Sequence, residues 1–154
     1  MAVVFIGIGS NLGDRRSNCS KAVELMVSTG ISVIRTSSHY ETDPWGMKDQ
    51  PRFINMALEG CTVLSPHNLL QLLKDIERSM GRKQTAGWGP RIIDLDILFY
   101  NDMIFSSDDL IIPHPFLHER LFVLEPLAEI SPNKTHPVLK KTVQALLEDL
   151  KAAS

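Results

Sequence analysis

The sequence predicts an α+β fold: a ferredoxin-like βαββαβ antiparallel sheet with helices on one face, followed by a C-terminal helical extension. Three observations carry that prediction. Apolar, β-branched runs and stretches of helical period follow one another in the order strand, helix, strand, strand, helix, strand. The second helical stretch, SPHNLLQLLKDIERSMG, is punctuated at both ends, with Ser65 as N-cap, Pro66 at the first helical position and Gly81 just past the last turn. No repeat, low-complexity tract or linker divides the chain, so its 154 residues predict one domain, residues 1–154.

Taken in order, VVFIGIGS from Val3 reads as a buried first strand, and Asn11 to Asp14 as a turn into a helix that runs to about Thr29. Ala22, Val23 and Met26 share one face of that helix. ISVIRTSSHYE, from Ile31, alternates in part like a second strand, and INMALEGCTVL, from Ile54, gives a third after a loop rich in Pro and Gly. The punctuated helix comes next, and IIDLDILFY supplies the fourth strand, closed by Tyr100 and Asn101. Several short elements and a final helix near Thr142 to Ala152 complete the chain.

Composition narrows the function classes. The chain is 44% hydrophobic and 22% charged, with 16 basic against 18 acidic residues and a net charge of −2. That balance argues against a nucleic-acid partner or an anionic membrane surface held by bulk charge. The N-terminus lacks the pattern of a signal peptide, and no apolar run approaches the roughly 20 residues that cross a bilayer. A cytoplasmic protein is expected. Cys19 and Cys61 have neither metal-ligand spacing nor the density of a disulfide scaffold, and read as reduced, structural thiols.

The fourth strand poses the chemical question. Asp94 and Asp96, two apart in an otherwise apolar run, project from the same face, while Leu95 and Ile97 point the other way into a core. A solvated sheet face carrying two ordinary acids would account for the pair alone. The segment RSMGRKQTAGWGPR tips that balance. It holds Arg78, Arg82, Lys83 and Arg91, no acid, and three glycines that permit movement. Hard carboxylate ligands beside guanidinium donors suit a magnesium-bound polyphosphate, because Mg²⁺ takes a few carboxylates plus phosphate oxygens and Arg forks pair with the remaining charge.

Other stretches are weaker alone. GIGSNLGD, residues 7 to 14, matches neither the dinucleotide fingerprint nor a P-loop, and a tight strand-to-helix turn explains it. TDPWGMKDQPRFIN, residues 42 to 55, reads as a loop whose aromatics are either a hydrophobic plug or a stacking surface, with Asn55 able to read a heterocycle edge. In IPHPFLHERLF, His114 lies between two prolines with Arg120 six residues on, and both could face a phosphate.

Together GSNLGD, the Pro-rich loop ending in Asn55, WGPRIIDLDI, and IPHP followed by Arg120 and Phe122 resemble the 6-hydroxymethyl-7,8-dihydropterin pyrophosphokinase family of folate biosynthesis, over essentially the whole chain. The resemblance implies a single pyrophosphokinase domain that moves the pyrophosphoryl group of ATP to a dihydropterin hydroxymethyl oxygen and releases AMP, with two Mg²⁺ ions. It implies Asp94 and Asp96 as metal ligands and Arg82 and Arg91 as arginines of a mobile catalytic loop. Glu77, Trp88, Ile97, His114 and Arg120 fall on the nucleotide side by the same likeness. Phe53 and Phe122 match a pair that sandwiches the pterin, Thr42 and Asn55 match its hydrogen-bonding groups, and Pro44 and Trp45 lie beside it. Two departures are visible: the loop before Trp88 is one residue short and holds Lys83 and Gln84 where a second arginine is usual, and Trp45 replaces a smaller aliphatic. The partners implied are small molecules, and the expected state is a monomer.

Two other readings remain open at this point. Another two-metal enzyme, a nucleotidyltransferase or nuclease, would call for an extended basic groove, which the near-neutral composition disfavours. A non-enzymatic ferredoxin-like ligand or RNA module would carry aromatics on its sheet, where this sequence places acids.

Overall fold

The computed structural model describes residues 1–42, 52–81 and 92–153. In chain order its elements are β1 (Ala2–Ser10), α1 (Arg15–Thr29), β2 (Ser32–Thr36), β3 (Tyr40–Thr42), β4 (Phe53–Thr62), α2 (Pro66–Ser79), β5 (Asp94–Tyr100), β6 (Phe105–Ser106), β7 (Ile111–Ile112), a short 3-10 turn (Leu117–Glu119), α3 (Leu121–Ile130) and α4 (Val143–Ala153). The main sheet runs β2-β4-β1-β5, with β3 also paired to β4, and its pairings are antiparallel. This is the predicted ferredoxin-like order, with the predicted second strand broken in two.

The break has a local cause. At Ser37 the chain stops laddering in regular register: its N–H donates to the Ala57 carbonyl, and its hydroxyl accepts the Ala57 N–H. Ser38 then turns to the Glu129 carboxylate on α3, and Tyr40 follows through its hydroxyl. A polar side chain has replaced one backbone pairing, which sequence periodicity does not register.

Alternation along β1 and β5 sorts the sheet into two faces. Val4, Ile6, Ile8, Leu95 and Ile97 enter a core with Cys19, Ala22 and Met26 of α1 and Leu69, Leu73 and Ile76 of α2. Asp14 caps α1 through the Ser17 N–H, and Ser65 caps α2 through the Asn68 N–H, as punctuation predicts for α2. The opposite face is only half closed by the extension. Phe5, Ala57, Leu98 and Phe99 pack with Leu124 and Leu127 of α3 and Leu146 and Leu147 of α4. A register shift between Phe5 and Ile6 lets Leu98 and Phe99 join one cluster although they are adjacent in sequence. Among the described residues, no helix is long and apolar enough to cross a membrane.

Candidate active site

Beyond the half covered by α3 and α4, the same sheet face carries polar groups. Asp94 pairs with Gly9 and Asp96 with Gly7 across β1 and β5; on the other side of β1, Gly9 pairs with Asn55 and Gly7 with Ala57. Directly paired antiparallel residues project together. Two rows therefore cross the sheet, Asn55–Gly9–Asp94 and Ala57–Gly7–Asp96, with bare glycine backbone between the amide and the carboxylates. Both aspartates are partly buried, and Leu95 between them is core, as the alternation predicted.

Phe53 opens β4 on this face, two positions from Asn55, so it belongs to the strand that the sequence began one residue later. Asn55 is 8% exposed, and its Nδ2 donates to Thr42 Oγ1 at 2.9 Å. Thr42 and Asn55 are thus brought together at the β3–β4 edge.

Glu77 enters from the opposite side. On α2 it follows Leu69, Leu73 and Ile76 along the buried stripe, and a carboxylate there needs a partner. Its Oε2 accepts the Leu95 N–H at 2.8 Å, which ties α2 to the start of β5 between the two aspartates. The spacing of Leu69, Leu73 and Ile76 could have revealed Glu77 as a buried acid. The Ile97 side chain faces that same core and pairs with Ile6, so it does not share the aspartates' face.

His114 approaches from the outer edge of β5. After the cis Ile112–Pro113 bond, its N–H donates to the Leu98 carbonyl, and its Nδ1 accepts the Phe116 N–H at 3.2 Å. Burial, reinforced by the Arg120 charge and opposed by that of Asp94, lowers its pKa to about 4. The ring is neutral near pH 7, and with Nδ1 accepting, its proton sits on Nε2. The Arg120 guanidinium lies over two rings, 5.2 Å from the Phe116 centroid and 5.6 Å from that of Phe122, within cation–π range. His114 and Arg120 accordingly lie close enough for their charges to interact, with Phe122 beside the Arg120 guanidinium.

In GIGSNLGD the first four residues end β1, and Asn11 to Asp14 form a structural turn. Asn18 Nδ2 donates to the Leu12 carbonyl and to Ser10 Oγ, and Gly13 takes a positive φ of 76°. Pro44, Trp45, Arg82, Trp88 and Arg91 lie outside the described residues. Among the described residues, no cluster of three or more His, Cys, Asp or Glu side chains could hold a metal by itself.

Known proteins resemble this chain in sequence and fold. Residues 5–132 match the family model described as 7,8-dihydro-6-hydroxymethylpterin-pyrophosphokinase. A 2-amino-4-hydroxy-6-hydroxymethyldihydropteridine pyrophosphokinase of Aquifex aeolicus is 42% identical over 94% of this chain and 89% of its own length. The protein of that name in Bacillus subtilis is 48% identical over 83% and 77%. A mitochondrial folate synthesis bifunctional protein of Arabidopsis thaliana is 55% identical over 82% of this chain, which spans only 23% of that longer protein. A crystal structure of an HPPK-DHPS in complex with substrates matches with a TM-score of 0.78 over 99% of this chain and 44% of that one; at 15% identity, this likeness speaks for the fold.

Proposed function

This chain belongs to the 7,8-dihydro-6-hydroxymethylpterin-pyrophosphokinase family, and we propose that the glycine-floored sheet face is where its residues carry out the transfer. The reaction moves the pyrophosphoryl group of ATP to the hydroxymethyl group of 6-hydroxymethyl-7,8-dihydropterin and releases AMP, in folate biosynthesis. The hydroxymethyl oxygen bonds to the β-phosphorus as the bond to the AMP oxygen breaks. This displacement needs no protein nucleophile, only positioning and charge neutralisation.

The observation that carries the reading is the placement of Asp94 and Asp96 side by side on β5, across bare Gly7 and Gly9 from Asn55. Two carboxylate donors fit Mg²⁺, whose remaining positions phosphate oxygens and water fill. Asp94 and Asp96 would hold two ions. Bound there, the metal supplies charge neutralisation at the phosphates and lowers the pKa of the attacking hydroxyl. Glu77 keeps the strand that bears the aspartates in place through Leu95 and also lies on the nucleotide side. Ile97, its side chain in the core, contributes there through backbone. His114 offers its Nε2–H to a phosphate oxygen, and Arg120 offers guanidinium N–H groups.

Phe53 and Phe122 flank the pterin, while Asn55 and Thr42 meet its edge beside Pro44 and Trp45. Arg82, Trp88 and Arg91 act from the glycine-rich segment, where Lys83 and Gln84 stand in place of a second loop arginine. Residues 1–154 work as one pyrophosphokinase unit with small-molecule partners and as a monomer, without nucleic acid or membrane. A cytoplasmic setting suits Cys19 and Cys61, both free thiols.

The test follows AMP release from ATP with and without 6-hydroxymethyl-7,8-dihydropterin while Mg²⁺ is titrated. Pterin-dependent AMP formation that requires Mg²⁺ is expected. AMP release indifferent to the pterin, or inorganic phosphate as the product, would overturn the proposal.

A further inference from the structure

We infer that Gly9 is a positioning residue for the pterin: its missing side chain is the space in which the Asn55 amide is held with its oxygen turned toward the ligand. The inference deepens the pyrophosphokinase reading and rests on it.

Gly9 does not need to be glycine for its backbone. It lies inside regular β1, paired on both sides, and is absent from the glycines with positive φ, which are Gly13, Gly30 and Gly81 among the described residues. Space is what it provides. A Cβ built there would stand 2.8 Å from Asn55 Oδ1, closer than real Cβ contacts come, and 3.6 Å from Phe53 Cδ1. Both neighbours carry proposed pterin contacts. The Asn55 amide cannot yield freely, because its Nδ2 is fixed to Thr42 Oγ1 at 2.9 Å on the other side. It is thus clamped between Thr42 on β3 and bare backbone on β1.

The clamp also sets the amide's polarity. With Nδ2 turned to Thr42, which takes one of its two N–H groups, Oδ1 is the end that lies over Gly9, and it is an acceptor. Its complement is a ring N–H or amino group on the edge of a flat heterocycle. Gly7, on the same face of the same strand, differs: a Cβ there would meet Leu98 Cδ2 at 3.4 Å, an ordinary contact with a flexible side chain.

The experiment is calorimetric titration of 6-hydroxymethylpterin into the full chain saturated with Mg²⁺ and a non-hydrolysable ATP analogue, with thermal unfolding alongside. Gly9→Ala should lose roughly ten- to a hundredfold in pterin affinity, the scale of one misplaced polar partner in a closed pocket, and should keep its affinity for the analogue. It should stay folded, because the atom displaced is the end of a side chain. The double variant Gly9→Ala/Asn55→Ala should bind no more weakly than Asn55→Ala alone, since the glycine acts through the amide. Unchanged pterin affinity in Gly9→Ala, or additive losses in the double variant, would overturn the inference while leaving the pyrophosphokinase reading intact. Wild-type protein that takes up no pterin would overturn the reading and the inference together.

Discussion

On the face of β1 and β5 covered by α1 and α2, consecutive inward positions are Ile6, Ile8, Leu95 and Ile97, all nearly inaccessible. One residue out of phase on the same two strands, the other face presents Gly7, Gly9, Asp94 and Asp96. The first face is the ordinary solution to burial. The second gives up side-chain packing at both glycines and crowds two carboxylates, an arrangement that makes no contribution to a core. The comparison teaches that the site's precision is borrowed: the closed face fixes the strands, and the open face uses their fixed alternation as a ruler.

The sharpest way to break that comparison is to change the open face alone. Asp94→Ala or Asp96→Ala should lower the AMP-forming rate by roughly a thousandfold or more, the scale of losing several kcal/mol of metal-assisted charge stabilisation. Thermal unfolding should change little, because both side chains lie on the partly buried open face and not in the core. Near-normal turnover at ordinary Mg²⁺ would remove the metal assignment.

Changing the closed face should do the converse. Ile8 sits between Gly7 and Gly9 but faces the helices and is 2% exposed. Ile8→Ala should cost about 2–5 kcal/mol of folding stability in urea titration. Well below its unfolding midpoint, the rate per folded molecule should stay within a few-fold of wild type. A rate loss matching that of the aspartate variants would mean that the two faces are not separable.

Acid offers a third probe, at the edge where His114 meets β5. Its folded pKa of about 4 lies below the ordinary 6.5. As pH falls through 6.5 the unfolded chain takes the proton first, so folding stability is unaffected above that point and declines between 6.5 and about 4. The decline from this group reaches up to roughly 3 kcal/mol. His39 and His136, also lowered by burial, add to it in the same direction. His114→Asn, whose side-chain oxygen can still accept the Phe116 N–H, should flatten part of this acid limb in urea titrations across the range. An unchanged slope would place the proton uptake elsewhere.

How much of this was legible in the sequence depended on how local the cause was. The shared face of Asp94 and Asp96 follows from a period of two, and the helix ends from single capping residues. That glycines face those aspartates depends on pairing between residues far apart in the chain, which no window of sequence contains. Phe53 reads as loop because prolines precede it, yet pairing with Thr42 of β3 extends β4 over it. α3 went unread because Pro126 lies inside it, and a proline there normally argues against a helix. Packing of Leu124, Leu127 and Ile130 against the sheet overrides that local penalty.

The smallest expected effect tests the one acid that belongs to both faces. Glu77 is buried on the helix side, but the group it holds is the Leu95 N–H, midway between the two site carboxylates. Glu77→Ala would leave that N–H without its acceptor, at a cost of about 1–3 kcal/mol. Glu77→Gln keeps a carbonyl oxygen of the same reach, so urea titration should find most of that stability restored. The activity readout then separates its two roles. If Glu77 serves only to hold β5, Gln should also restore the AMP-forming rate at saturating ATP. If its carboxylate additionally meets the nucleotide, Gln should recover stability but leave KM for ATP raised. A glutamine variant as unstable as the alanine one would show that the Leu95 contact needs the charge, and that the link between the two faces is electrostatic rather than a matter of shape.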